Sequence, residues 1–352
     1  MLFVFCSSFG LLACAPAPLK APPKAAAAPA IAPAAPVSAP PPAPALCRLA
    51  EGLKPWPALS IERSEKEPSK NNLRMYIDTL ADPALSGREA GSDENRRVAE
   101  LIARTFSSFG LSPLGGNEFC LPFEKRGIRD QNVVAIVRNP QRRENVPVVL
   151  LGAHYDAQGQ REGDIYPGAD DNASGVAVLL EIARLSAEQA RDIDLVFIAF
   201  GAEERGILGS KAYVEAEQQN ISRATLMINF DMVGRPFLDG SPLRLLVPRA
   251  DETLGFVVGE RDKANTAALL QRAAQKNDQP ILGIPEAAMT HLGYFSDSVP
   301  FGPYVPTIFL SDAALADYHQ PSDTRDQIDL DQMTRATRLA LSILEEVQAP
   351  KP

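Results

Sequence analysis

Two adjacent glutamates, Glu203 and Glu204, follow the apolar run Leu-Val-Phe-Ile-Ala-Phe at 195–200 after only Gly201 and Ala202. Neighbouring carboxylates repel each other unless a cation lies between them. The apolar run suits a strand buried on both faces, and the carboxyl end of such a strand is where ligands bind in an open α/β sheet. Four other segments carry residues of the same kind. An apolar stretch at 148–153 ends in His154-Tyr155-Asp156, where His154 and Asp156 would share one face of a strand. A carboxylate so placed could fix the tautomer of a metal-binding imidazole. Asp231 follows the apolar residues 226–230, and Asp170-Asp171 sits in a loop bounded by Gly168 and Gly175 that opens a helix. Tyr318-His319-Gln320-Pro321 offers a histidine in a turn. The chain has three histidines, and two of them lie in these segments. Imidazole mixed with hard oxygen donors suits a pair of divalent cations, zinc first, with manganese or cobalt open. Each feature alone has a plain structural reading: an acid caps a strand, a histidine packs in a core, paired glutamates sit on a solvated turn. Five of them in one frame point to a common centre.

The elements that must position these residues alternate. The spacing predicts helices over 73–80 and 93–109, then strands over 132–137 and 146–155. A helix over 173–185, the strand at 195–200, a helix near 210–217 and a strand at 226–231 follow. Further on, 243–247 reads as a strand, 265–276 as a helix, 306–310 as a strand and 333–347 as a closing helix. Ser86-Gly87-Arg88 through Gly91-Ser92 reads as a turn, and 236–304 as loops over the working edge. The expected fold class is therefore α/β: a single three-layer domain with a central, mostly parallel mixed sheet and helices on both faces.

With 352 residues and 45% hydrophobic content, the chain can bury a sizeable core. A net charge of −9, with no basic stretch beyond Arg142-Arg143, argues against a nucleic-acid partner. Residues 1–13 are almost wholly apolar, too short to span a bilayer and suited to a signal-peptide core. They end in Leu11-Leu12-Ala13-Cys14, similar to the bacterial lipobox, although no Lys or Arg precedes the core. Ala15 after Cys14 resembles lipoproteins sent to the outer membrane. The expected location is thus the bacterial envelope, lipid-anchored on the periplasmic face or periplasmic. The tract at 14–46 is nearly all Pro and Ala, a semi-rigid tether ahead of a catalytic domain at 47–352. Once Cys6 leaves with the signal and Cys14 takes lipid, Cys47 and Cys120 remain, either bonded or as two separate buried thiols.

Taken in order and spacing, these segments resemble the co-catalytic di-zinc aminopeptidases of the aminopeptidase Y and bacterial leucyl aminopeptidase type. The similarity runs from about residue 73 to the end and includes Ser86-Gly87-Arg88 with Gly91-Ser92. It implies the zinc-dependent exopeptidase, or phosphorylase/hydrolase-like, fold and two Zn2+ per chain. His154 and Asp231 would bind one ion, His319 and Glu204 the other, and Asp171 would bridge both. Asp171 is preferred to Asp170 because the family's bridging acid lies four residues before the glycine, here Gly175. Glu203 would be the general base, Asp156 would orient His154, and Tyr318 would hydrogen-bond the developing oxyanion. The implied substrates are peptides with a free amino terminus, and the implied state a monomer.

The chain departs from that pattern in two places. Ala157 stands where a serine is frequent, and Ser296-Asp297-Ser298 where Ser-Asp-His is frequent, so a substrate-side contact is expected to differ. His291 matches no ligand position and reads as a cleft residue. Rival readings are a carboxypeptidase or glutaminyl cyclase of the same fold, and a catalytically dead binding relative. The last is disfavoured because all five ligands and the base are kept.

Overall fold

The computed structural model describes residues 47–348 apart from 65, 142–145, 190 and 285–295. The signal segment, Cys14, the Pro/Ala tether, Arg142-Arg143 and His291 therefore lie outside the described residues. The strands are β1 (Ser112–Pro113), β2 (Cys120–Lys125), β3 (Ile128–Val137), β4 (Val148–His154), β5 (Gly159–Arg161) and β6 (Asp164–Tyr166). They continue as β7 (Asp194–Phe200), β8 (Leu226–Phe230), β9 (Leu254–Val258), β10 (Ile281–Gly283) and β11 (Thr307–Ser311). The helices are α1 (Lys70–Leu80), α2 (Asp93–Ser108), α3 (Gly175–Ala187), α4 (Leu208–Ile221), α5 (Lys263–Lys276) and α6 (Leu330–Gln348).

One sheet runs in the order β1-β3-β7-β4-β8-β11-β9-β10, with β2 also paired to β3. Its centre, β7-β4-β8-β11, is parallel, while β3 and β9 join it antiparallel. Alternate residues along the central strands enter two separate cores. Val133, Ala135, Val149, Leu151, Leu195 and Phe197 face one, and Val134, Ile136, Leu150, Val196 and Ile198 the other. Both faces are buried, which is why these strands read as continuous apolar runs. The larger core takes side chains from α1, α2, α3, α5 and α6; the smaller takes Tyr213 and Val214 of α4 with Phe301. From Gly175 to Ser186 every residue of α3 is buried, as befits a largely apolar helix packed between the sheet and α6, and its two buried charges, Glu181 and Arg184, pair with each other at 2.7 Å.

Ser69 and Ser92 cap α1 and α2, each accepting a backbone N–H from the third residue beyond. Cys47 and Cys120 are disulfide-bonded, with Cα atoms 5.2 Å apart across 73 residues of sequence. Chain entropy for a loop of that size corresponds to about 4 kcal/mol.

One expected strand is absent. Residues 243–247 do not pair; Pro242–Leu246 is a tight helical turn with no buried residue. Pro242 sits at its first turn, where its missing N–H is harmless, and Ser241 caps the N–H of Leu243. The strand of this region is β9 instead, held between β11 and β10. The helix expected from 173 begins at Gly175, because Ala169–Ser174 forms an irregular turn with non-helical backbone at Asp171 and Asn172.

Candidate metal centre

Parallel pairing sets His154 of β4 opposite Phe200 of β7, and Gly152 opposite Asn229 of β8, so three strands end on one rim. His154 is the last residue of β4, Asp231 follows β8, and Glu203 and Glu204 lie just beyond β7. Three backbone positions here are left-handed without being glycine: Ala202 (φ 55°), Met232 (φ 59°) and His319 (φ 53°). Each such residue costs about 1–2 kcal/mol, and strain of this kind concentrates at functional sites.

Two buried side chains join the loops to the rim. The guanidinium of Arg88 donates to the carbonyls of Tyr155 (2.9 Å), Pro167 (2.6 Å), Gly168 (3.0 Å) and Leu80. It thereby ties the end of β4 to the Asp170-Asp171 loop. The carboxylate of Asp323 accepts from the backbone N–H groups of Asp170 (2.8 Å) and Asp171 (3.0 Å), fixing that loop to the turn that carries His319. Gly168 needs its left-handed backbone (φ 58°), and a Cβ there would run into the Asp171 carbonyl.

The five expected ligands come together in two triads that share one carboxylate. His154 Nε2 lies 3.3 Å from Asp171 Oδ1 and 3.4 Å from Asp231 Oδ1. His319 Nε2 lies 3.1 Å from Asp171 Oδ2 and 3.2 Å from Glu204 Oε2. Asp171 thus turns one oxygen to each histidine. Asp170 turns away, with Oδ1 accepting the Gly234 N–H at 2.8 Å. Either triad has the donor atoms and spacing to hold a metal ion.

Asp156 lies behind His154, as the spacing predicts, but divides its contacts. Its backbone carbonyl is 3.2 Å from His154 Nδ1, while its carboxylate accepts the N–H groups of Glu203 (2.9 Å) and Glu204 (3.2 Å). The strand ends at His154, so alternation fails beyond it and the carbonyl meets the ring, with Asp156 Oδ1 3.7 Å from the same nitrogen. Tyr318 stacks on His319 with ring centres 3.8 Å apart.

The electrostatics follow from packing many acids in a dry site. Burial raises Glu203 well above the usual carboxylate range, with the His154 ring opposing and Asp297, Asp231 and Glu204 adding. Burial, reinforced by Asp171, pushes Glu204 up to about 7. Burial alone would lower both histidines, but Asp231 and Glu203 carry His154 well above its ordinary value, and Asp171 and Glu204 bring His319 to about 10. Burial would raise Asp171, yet the two histidines overcome it and hold the group below its ordinary range. Burial and the surrounding carboxylates raise Tyr318, so its phenol stays a hydrogen-bond donor.

Residues 132–344 match Peptidase family M28, well over half of the chain. The chain belongs to Peptidase family M28. It is 31% identical to aminopeptidase YwaD of Bacillus subtilis over 224 residues, 61% of this chain and 44% of that relative. The chain therefore spans less than half the length of this curated relative. Among solved structures it resembles a zinc aminopeptidase from Bacillus subtilis, with a TM-score of 0.61 and 18% identity over 80% of this chain and 96% of that one. It also resembles the glutaminyl cyclase of Porphyromonas gingivalis, with a TM-score of 0.57 and 22% identity over 79% of this chain and 98% of that one. At these identities both structures show a shared fold.

The donor set of this M28 family member fits a cation pair. Glu204 Oε1 is buried without a hydrogen-bond donor, and both histidine Nε2 atoms face carboxylates instead of solvent. Paired imidazole and carboxylate donors are those zinc takes. Isolated buried carboxylates are costly to keep charged unless cations neutralise them.

Several supporting residues carry no signal in the sequence. The Ser296 hydroxyl donates to Asp231 Oδ2 (2.8 Å) and accepts from Asn229 Nδ2 (2.6 Å). Gln158 donates to Glu204 Oε2 and accepts from Arg161. Asp297 is fully buried and raised to about 7 by burial. The Ser210 hydroxyl beside it is turned to the Ile207 carbonyl, so neither Asp297 oxygen receives a well-formed hydrogen bond. Only the Ser-Asp-Ser departure pointed toward this region.

Proposed function

We propose that the protein is a zinc-dependent exopeptidase that removes residues one at a time from the free amino terminus of peptides. The observation that carries this reading is the division of the Asp171 carboxylate between two histidine–carboxylate triads, with the half-buried Glu203 lining the same small cavity. The cofactor is a pair of Zn2+ ions: His154, Asp171 and Asp231 would hold one, and Asp171, Glu204 and His319 would hold the other. When bound, the pair supplies Lewis-acid polarisation of the scissile carbonyl and acidifies water.

The chain's own residues do the rest. Glu203 takes a proton from the attacking water and passes it to the leaving amine. Its backbone N–H, held by the Asp156 carboxylate at 2.9 Å, keeps the side chain in place for both transfers. Tyr318 donates its phenolic proton as a hydrogen bond to the oxyanion that develops on the carbonyl. The acids lining the small cavity between Asp171, Glu203 and Asp231 attract a free ammonium, which accounts for action at the amino terminus.

The deciding assay pairs aminoacyl-nitroanilides with N-blocked peptides and N-terminal glutaminyl peptides, with and without a chelator. Chelator-sensitive release from the first alone is the expected result. Hydrolysis of N-blocked peptides at the carboxyl end would favour a carboxypeptidase, and ring closure of glutamine with ammonia release a cyclase.

The proposed setting is the bacterial envelope, reached by export and held by lipid on Cys14, with peptides as partners, no nucleic acid and a monomeric chain. Among the described residues no helix is long and apolar enough to cross a membrane. Fatty-acid labelling that disappears in Cys14→Ser is expected; labelling that persists would remove the anchor from Cys14.

A further inference from the structure

Of the six large apolar side chains exposed among the described residues, three lie on one turn, Leu243 (58%), Leu245 (90%) and Leu246 (78%), and a fourth, Leu315 (43%), lies on a segment bonded to Asp239 just before it. The first three ride on the turn Pro242–Leu246, none of whose residues is buried. Each leucine left in water forgoes about 1.5–3 kcal/mol of burial. The turn is stiff. Backbone bonds run from Arg244 N to Ser241 O and from Val247 N to Arg244 O, both 3.1 Å, and Arg244 pairs with Asp239 and Asp251.

The segment leading into this turn is bonded to the one that carries Tyr318 and His319. Gly240 has φ 77°, and a Cβ on it would lie 2.6 Å from the Ala316 nitrogen. Leu315 N donates to Asp239 O at 2.8 Å, and Arg235 joins Asp239 (2.6 Å) to Asp317 (2.8 Å), the neighbour of Tyr318 and His319. The cavity among the metal-binding residues is small, about 20 Å³, and lined in part by Met232, Phe309 and Tyr318. A space that small cannot enclose a peptide, so a bound chain must extend over the surrounding surface.

Resting on the aminopeptidase reading, we propose that the leucine turn with Leu315 is an apolar subsite for peptide residues downstream of the scissile bond. The preferred substrates are then peptides with leucine- or phenylalanine-like side chains at their second and third positions. The cations at the foot of the turn are already engaged: Arg244 as above, and Arg249 with Glu252 and Asp278. They are not free for lipid phosphates, and the surface recognises apolar shape.

The test compares the parent with the double variant Leu245→Ser/Leu246→Ser on Ala-Leu-Leu, Ala-Ser-Ser and alaninamide. Both positions are exposed, so the fold is unaffected. The parent should prefer Ala-Leu-Leu to Ala-Ser-Ser by about 10- to 100-fold in kcat/KM, the worth of burying one leucine. The variant should lose about tenfold or more of that preference and keep its rate on alaninamide. An unchanged preference, or an equal loss on all three, overturns the subsite. So does sedimentation with phosphatidylcholine vesicles that only the parent shows, which would make the turn a membrane contact. Dimerisation abolished in the variant would overturn it in favour of a second copy. If the parent cleaves none of the three, the aminopeptidase reading fails by itself. Fluorescence anisotropy with labelled Ala-Leu-Leu and Ala-Ser-Ser still tests the surface: tighter leucine binding by the parent alone upholds it, equal binding overturns it.

Discussion

The two triads of the centre use the same chemistry on different supports. In the half built from His154, Asp171 and Asp231, side-chain exposure is 1%, 7% and 12%. Both outer ligands sit at the ends of adjacent parallel strands, and each is held from behind, His154 by the Asp156 carbonyl and Asp231 by the Ser296 hydroxyl. In the other half, His319 is 35% exposed and sits in a turn on left-handed backbone. Its partner Glu204 lies beyond the end of β7, and one oxygen already takes a hydrogen bond from Gln158. One half inherits the rigidity of the sheet, whereas the other depends on loops and on a carboxylate with a competing partner. The first half should therefore hold its ion more firmly, and the second should be the one that yields to chelators and responds to substrate.

The strongest way to break the comparison is to remove what the halves share. Asp171→Ala should lose both ions and bring turnover to background, measured by metal analysis alongside nitroanilide release. Retention of one tightly held ion would show that the halves are independent of Asp171. Next come the adjacent glutamates, which belong to different tasks. Glu203→Gln should keep both ions and lose about 10²–10⁴-fold in turnover. Glu204→Gln should lose the ion of the exposed half and keep the other. Matching metal content in the two variants would erase that division.

A smaller effect sharpens the contrast in rigidity. Ser296→Ala should weaken the buried half by about 10–100-fold in zinc affinity and leave the exposed half unchanged, read by competition with a chromophoric chelator. Loss from both halves alike would mean that the hydroxyl serves general packing.

The least of the effects concerns the layer behind His154. Asp130 accepts hydrogen bonds from the Tyr155 hydroxyl (3.1 Å) and the N–H groups of Gln131 (2.8 Å) and Gly91 (3.2 Å), and burial pushes it up to about 7. Its folded value exceeds its unfolded value of about 4. Its contribution to stability is therefore full below that lower value and is lost as pH rises through about 7. The Tm of chelator-treated protein should fall between about pH 4 and 7, and Asp130→Asn should make that fall shallower. An identical slope in the variant would assign the pH dependence to other acids.

Much of the molecule was legible in the residues. Apolar runs at 148–153, 195–200 and 226–230 became β4, β7 and β8, because strands buried on both faces leave no room for alternation. The run at 243–247 misled for the same reason: three leucines look like a core strand, and only the lack of a partner edge shows otherwise. Asp156 was placed behind His154, and its carboxylate lies 3.7 Å from Nδ1 while also taking the glutamate N–H groups, since the strand stops two residues before it. Ser296, Gln158 and Asp297 were not legible as supports, because their partners lie 46 or more residues away in sequence or are other buried acids.

By itself, the sequence determined which residues could ligate cations, that they stand at strand ends and glycine-bounded turns, and that two cysteines could pair. Those are local properties, written in side-chain chemistry and in the period of the apolar pattern. Only the tertiary structure decided that Asp171 rather than Asp170 turns an oxygen to each histidine, that His154 is enclosed while His319 opens to solvent, and that three leucines ride on an exposed turn. These depend on register between strands and on hydrogen bonds closed across long stretches of chain, where no local preference selects among the alternatives.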